Sequence, residues 1–238
     1  MSELSNIDIN GIGRLNGGEY NKVSLSGSSK IIGDIKANKI VSSGSCKAFA
    51  NLEGNYIQIS GIMKCDGSLK SSDTIEISGS TKAKFINANR LNISGTAKVY
   101  EDCSFEKGRI SGNLNVDGSC EGRDFKASAR LVIGKLLSAD IVDINIEGKS
   151  SISEIGGERI TIRKGRGSFG FSIFPILKKE LTCELIEGDN IYIESTICKI
   201  VRGKNIVIGN GCTIDKVEYT DSYKCDHKNS VKEVACIK

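Results

Sequence analysis

The sequence predicts an all-β chain wound into a β-helix, a solenoid in which each turn of strand lies on the last. Three observations predict it. A short phrase returns about every 17 residues: VSLSG ending at Gly27, IVSSG at Gly44, IQISG at Gly61, IEISG at Gly79, LNISG at Gly95 and RISG at Gly112. The residues inside the phrase alternate apolar and polar, the period of a strand and not of a helix. The composition also suits strands, with 27 glycines, one proline and no tryptophan. Proline would remove a ladder donor, whereas the valines and isoleucines that dominate the apolar set fit a pleated surface. So short a repeat of strand-forming residues is the mark of stacked rungs sharing one core.

The rungs follow in order. Counting back from each glycine, positions −4 and −2 are Val23 and Leu25, Ile40 and Ser42, Ile57 and Ile59, Ile75 and Ile77, and Leu91 and Ile93. These side chains share one strand face, which in a coil is the interior. Ser42 is a local thinning of that core. The glycine marks a corner, where a positive φ or a close backbone approach is needed. A turn of 17 to 18 residues fits three short sides. The pattern is clearest over 21–112 and loosens afterwards. It returns as Ile144 and Ile146 before Gly148, and as Ile160 and Ile162 before Gly165. The insertion at 166–179, RGSFGFSIFPILKK, interrupts it. Strands resume at Ile191–Ile193 and Ile206–Ile208. The expected organisation is one β-helix over 1–219, of roughly 11 to 12 rungs at the usual strand spacing, and a polar tail at 220–238 that reads as a cap or a final pairing strand.

Three residues past each of the first glycines stands a lysine: Lys30, Lys47, Lys64, Lys82 and Lys98. Its next neighbour is apolar or small (Ile31, Ala48, Cys65, Ala83, Val99), so the lysine points out and the neighbour in. Cys65 is thereby read as core filler and not as a nucleophile. Five ammonium groups stacked at strand spacing repel by about 1 kcal/mol per adjacent pair in water. Such a basic ladder either docks an anionic lipid, nucleic acid or acidic partner, or keeps strands from pairing sideways; the second reading is favoured. No aromatic series interleaves with it, so no nucleic-acid partner is expected.

The insertion is the better candidate for a membrane-surface or partner contact. It sets Phe169, Phe171, Ile173, Phe174, Ile176 and Leu177 between Arg163, Lys164, Arg166, Lys178 and Lys179, an apolar segment with a basic border. Its alternative is to fold back on the coil or against a second copy. A coil also exposes an unpaired rung at each end, and unpaired edges template further pairing. The N-terminal edge is expected at Ile7, Ile9, Ile12 and Leu15. The C-terminal edge is expected at Val217 and Tyr219, with Val231 and Val234 in the tail.

Composition excludes several classes. The formal charge of +4 demands no acidic partner. Met1–Tyr20 holds no apolar leader, and no apolar run is long enough for a membrane-spanning helix. Nine cysteines, an odd number, then read as free thiols of a cytoplasmic protein, including Cys103 and Cys120, which are one repeat apart. Cys225, His227 and Cys236 are a weak zinc pattern without a clear fourth ligand, so no metal and no cofactor is expected. No phosphate loop and no nucleophile elbow occurs. IVIGNGCTI at Ile206–Ile214 has a hexapeptide-acyltransferase look. Such enzymes use a histidine base, and the single histidine, His227, lies outside the repeats. A polysaccharide lyase would need a cluster of acidic and basic groups that is not visible. A non-enzymatic protein is expected.

Several longer phrases carry a resemblance. They are GGEY at Gly17–Tyr20, GDIKA at Gly33–Ala37, SISEIGGERITIR at Ser151–Arg163, LIEGDNIYIESTICKIVRGKNIVIGNGCTI at Leu185–Ile214 and VEY at Val217–Tyr219. With the repeat, they resemble the bactofilin family, the polymer-forming cytoskeletal proteins of bacteria, and most of all the longer two-part members from Gram-positive bacteria. The resemblance implies a right-handed, roughly triangular β-helix that polymerises end to end without nucleotide. It implies a scaffold for envelope, cell-shape or flagellar and motility assembly, partnered by itself, a related bactofilin or an envelope or flagellar protein; peripheral contact at the inner face of the membrane is expected only through the insertion. The proline-rich tails of many members are missing here, and the 166–179 insertion is a second departure. The alternative function is a non-polymerising adaptor that uses that insertion; an acyltransferase is remote.

Overall fold

The computed structural model describes residues 4–165, 178–227 and 230–237. They form 20 β-strands and no α-helix. The strands pair in parallel and stack in about 13 turns, a β-solenoid. The strands at Asn6–Leu15 and Val231–Cys236 add turns that the glycine phrase does not mark. The chain divides into two compact units, Met1–Gly118 and Ser119–Lys238.

Unit 1 is the regular one. Its first turn holds β1 (Asn6–Ile9) and β2 (Ile12–Leu15). Each later turn holds one longer and one four-residue strand. These are β3 (Gly18–Leu25) and β4 (Ser28–Ile31), β5 (Ile35–Ser42) and β6 (Ser45–Ala48), and β7 (Leu52–Ile59) and β8 (Ile62–Cys65). They continue as β9 (Ser68–Ile77) and β10 (Ser80–Ala83), β11 (Phe85–Ile93) and β12 (Thr96–Val99), and β13 (Cys103–Ile110) and β14 (Asn113–Val116). Long strands pair with long and short with short, one turn apart, as in β3–β5–β7 and β4–β6–β8. The long strand bends at two successive exposed residues. In β5, Ala37 points in, Asn38 and Lys39 both point out, and Ile40 points in again. That step supplies the extra corner and makes three sides of two strands.

Like residues stack inside, as the repeat predicts. Val23, Ile40, Ile57, Ile75 and Leu91 are all 0 % exposed. Ser42 pairs with Leu25 on one side and Ile59 on the other. It is fully buried, and its hydroxyl has no hydrogen-bond partner. The glycines of the phrase are required by close approach and not by a positive φ. A Cβ built at Gly27, Gly44, Gly61, Gly79, Gly95 or Gly112 would stand 1.9 to 2.1 Å from the carbonyl oxygen of the glycine one turn earlier.

Unit 2 uses longer strands: β15 (Cys120–Ile146), β16 (Lys149–Lys164), β17 (Glu180–Ile193), β18 (Thr196–Ile208), β19 (Thr213–Cys225) and β20 (Val231–Cys236). They pair consecutively. Ile144, Ile160, Ile193 and Ile208 are fully buried. A second glycine column forms one corner. A Cβ at Gly157, Gly188 or Gly203 would lie 2.2 Å from the carbonyl oxygen of Ala139, Gly157 or Gly188 respectively. β16 and β17 pair directly, Lys149 opposite Glu180 and Ile162 opposite Ile193, so the chain returns to the same register after 166–177. Of the two readings of the tail, a cap or a final pairing strand, the second holds. Residues up to Cys225 continue β19, and Val231–Cys236 is a strand paired with Ile214–Tyr219.

Candidate functional site: two open strand edges and a basic face

The N-terminal edge lies in unit 1. Among the described residues, β1 pairs with β3 and β2 with β4, each on one side only. Ile7 and Ile9 end the inner apolar columns capped by Val23 and Leu25 and are half-buried. Ile12 is 96 % exposed. Leu15 is buried, so of the four expected edge residues it contributes least. Gly11 ends the glycine column: its carbonyl oxygen meets a Cβ built on Gly27, while a Cβ built on Gly11 itself meets nothing within 4 Å.

The C-terminal edge lies one turn beyond its expected place. Val217 is 0 % exposed and pairs with Val234, and Tyr219 pairs with Cys236. β20 therefore covers Val217 and Tyr219, and among the described residues β20 itself is paired on one side only. Val234 is 44 % and Ile237 is 37 % exposed there. Its valines, Val231 and Val234, are the two tail residues expected with this edge.

The basic ladder is in exact register. Lys30 pairs with Lys47, Lys47 with Lys64, Lys64 with Lys82 and Lys82 with Lys98. The column begins one turn earlier, at Arg14, opposite Lys30, an arginine outside the lysine repeat. It ends at Asn115, whose Oδ1 accepts from Lys98 Nζ at 3.0 Å. Lys64 pairs with Asp66 at 3.2 Å, and Lys98 pairs with Asp117. Lys47 Nζ sits 4.3 Å from the Phe49 ring centroid and Lys98 Nζ 5.7 Å from that of Tyr100. The inward neighbours Ile31, Ala48, Cys65, Ala83 and Val99 are at most 1 % exposed. Burial pushes the Cys65 thiol up to about 11, which keeps it a neutral filler.

Polar ladders at the corners escaped the sequence reading. Asn21 Nδ2 donates to Asn6 Oδ1 at 2.9 Å, Asn38 to Asn21 at 3.0 Å, Asn55 to Asn38 at 3.3 Å, and the Ser72 hydroxyl to Asn55 at 2.9 Å. Asn205 and Asn190 repeat the arrangement in unit 2 at 3.2 Å. The signal was present as asparagines at steps of 17, Asn21, Asn38 and Asn55. Each ladder amide satisfies its neighbour and pins the register of the rung above.

The expected contact loop, Phe169, Phe171, Ile173, Phe174, Ile176 and Leu177, lies outside the described residues. Part of its basic border is engaged. Arg163 pairs with Asp143 at 2.9 Å, Lys178 with Glu180 at 2.5 Å, and Lys179 with Glu147. Seven cysteines are buried, Cys225 is half-buried and Cys236 exposed. Among the described residues no three His, Cys, Asp or Glu converge on a metal position. No helix there is long and apolar enough to cross a membrane.

The arrangement offers strand edges and a charged face for contact. Comparison with known proteins names no activity. The chain is similar to the uncharacterized protein YhbF of Bacillus subtilis (strain 168), 42 % identical over 84 residues, covering 35 % of this chain and 34 % of that one. It is likewise similar to the uncharacterized protein YhbE of the same organism, 42 % identical over 103 residues, 42 % of each chain. The chain thus spans well under half the length of the curated relatives it matches. No family model matches it, and no solved structure matches it.

Proposed function

We propose that this chain is a non-enzymatic scaffold of the cytoplasm that assembles from many copies, end to end and without nucleotide. The observation that carries the reading is the open rung of β1 and β2, where inner columns of isoleucine run out into a strand edge paired on one side only. Ile7 and Ile9 offer apolar area, and the free backbone groups of the edge offer hydrogen bonds to another strand. β20 is a second such edge. A joint between edges that does not close on itself gives a filament. The resemblance to the bactofilins adds the expected role, support of envelope, cell-shape or flagellar assembly.

The test uses Gly11. Every Cβ in the glycine column aims at the rung on its N-terminal side, and only at Gly11 is that space empty. A second copy stacked on β1 and β2 at strand spacing brings its backbone there. Gly11→Ala then leaves the fold intact and removes assembly. Purified protein without nucleotide is viewed by negative-stain electron microscopy and sedimented at several salt concentrations. Filaments from the wild type and discrete particles from Gly11→Ala are expected. Discrete wild-type particles under every condition would sink the scaffold reading. Filaments from both proteins would remove the β1–β2 edge from the joint.

A further inference from the structure

We propose that the ladder face of unit 1 docks on an anionic lipid bilayer, with the stacking direction of that unit parallel to the membrane plane. Two independent observations meet on this face.

The first is charge left uncompensated on most of a cation column, in which Lys64 and Lys98 alone are paired with a carboxylate among the described residues. Elsewhere in unit 1 like charges stack in pairs, Lys22 on Lys39 and Arg90 on Lys107, and other columns alternate in sign. Glu19, Lys36, Glu53 and Lys70 form one such column in unit 1. In unit 2, Arg202 stands between Glu187 at 3.4 Å and Glu218 at 2.7 Å, and Lys204 on Asp189 at 3.1 Å. The ladder instead stacks six cations in succession, Arg14 to Lys98, over about 24 Å at strand spacing. Among the described residues no carboxylate pairs with Arg14, Lys30, Lys47 or Lys82. Sheets are kept from sideways pairing by scattered lysines; an unbroken column goes beyond that need and creates a local positive potential.

The second is apolar exposure at the same place. Among the described residues, unit 1 has six exposed large apolar side chains: Leu4, Ile12, Ile32, Phe49, Ile62 and Tyr100. Every one except Leu4 lies two residues from a ladder cation. Ile12 and Ile62 share the outward column before the cations, through Ser28 and Ser45. Ile32, Phe49 and Tyr100 follow the cations, and two of the cations lie over the rings. Apolar groups on both flanks of a cation row match a bilayer surface. The rings and isoleucines enter the headgroup region, and lysine stems lie along it with their ammonium groups on lipid phosphates. A single nucleic-acid strand would need successive rings to stack its bases. Here two rings stand three turns apart, with aliphatic side chains for the rest.

The inference does not rest on self-assembly, and its test uses turns away from the β1–β2 edge. Protein is floated with vesicles of phosphatidylcholine containing one-third phosphatidylglycerol, and with phosphatidylcholine alone; assembled protein without lipid sinks and is not scored. The wild type floats with the anionic vesicles. Raising salt from about 0.1 to about 1 M shortens screening from about 10 to about 3 Å and weakens the binding. Lys47→Glu with Lys82→Glu lowers affinity more than tenfold, since each lysine at such a surface contributes roughly fivefold. Phe49→Ser with Tyr100→Ser lowers it several-fold, with an unchanged circular dichroism spectrum in both variants. Equal flotation with neutral vesicles, no flotation with anionic ones, or wild-type flotation of the double glutamate variant would overturn the proposal. Tighter binding to a single-stranded oligonucleotide than to anionic vesicles would overturn it too.

Discussion

Gly61→Ala puts one methyl group into the glycine column. Its carbon would stand 2.0 Å from Gly44 O and 2.4 Å from Ser43 O. Both atoms are backbone and cannot swing aside. An ordinary contact requires the two rungs to part by about 1.4 Å, more than a quarter of their spacing. The bonds that join them here are Ser60 N to Ser42 O at 2.9 Å, Gly61 N to Ser42 O at 3.3 Å and Ile62 N to Gly44 O at 2.9 Å. Stretched by that amount they leave hydrogen-bonding range. Two or three bonds at about 1 kcal/mol each, with lost packing between Ile59 and its stacked neighbours, give a destabilisation of about 2–4 kcal/mol. Melting should fall by roughly 5–15 °C. The internal control is Gly11→Ala, the same motif position with no atom within 4 Å, expected within about 0.5 kcal/mol of wild type. The assay is thermal unfolding by circular dichroism, at a concentration where the chain is unassembled, with hydrogen exchange of the Ser60 to Ile62 amides. A Gly61→Ala melting point within about 2 °C of wild type would refute the steric argument. So would an equal fall in both variants.

Other consequences follow from the core. Ser42→Ala removes a buried hydroxyl without a partner and should stabilise the chain by about 1 kcal/mol; a loss of stability in chemical denaturation would show that the hydroxyl is satisfied in solution. Thiol labelling of the folded, unassembled chain at mildly alkaline pH should modify Cys236 first and Cys225 next, and the other seven only on unfolding. Burial raises Cys46 and pushes Cys65 and Cys212 up to about 11, while a hydrogen bond with Cys198, then burial, raises Cys183; the same hydrogen bond lowers Cys198, which is shielded by its burial and not by its titration. Because the thiolate is the reactive form, buried-thiol labelling at the rate of unfolded protein would contradict this.

How far the sequence reached can be seen in single residues. The step between glycines fixed the turn length, and period-two alternation placed Val23, Ile40 and Ile57 inside, since both are local consequences of strand geometry. It also put Lys30 to Lys98 in one outward column, which follows from turn length alone. The corner ladder of Asn21, Asn38 and Asn55 was equally periodic, but its meaning depends on which atoms face each other across a turn. Whether the glycines served φ or close approach was a matter of distance to the preceding rung, and only stacked backbones supply that distance. β20 carries no alternation, so its pairing over Val217 and Tyr219 is decided by an edge that awaited a strand. Phe49, Tyr100, Ile12, Ile32 and Ile62 each stand two residues from a cation in the sequence, and only the stacked turns show that they stay exposed. A sequence gives the order of side chains along one turn; the coil decides which turns bring them onto one face.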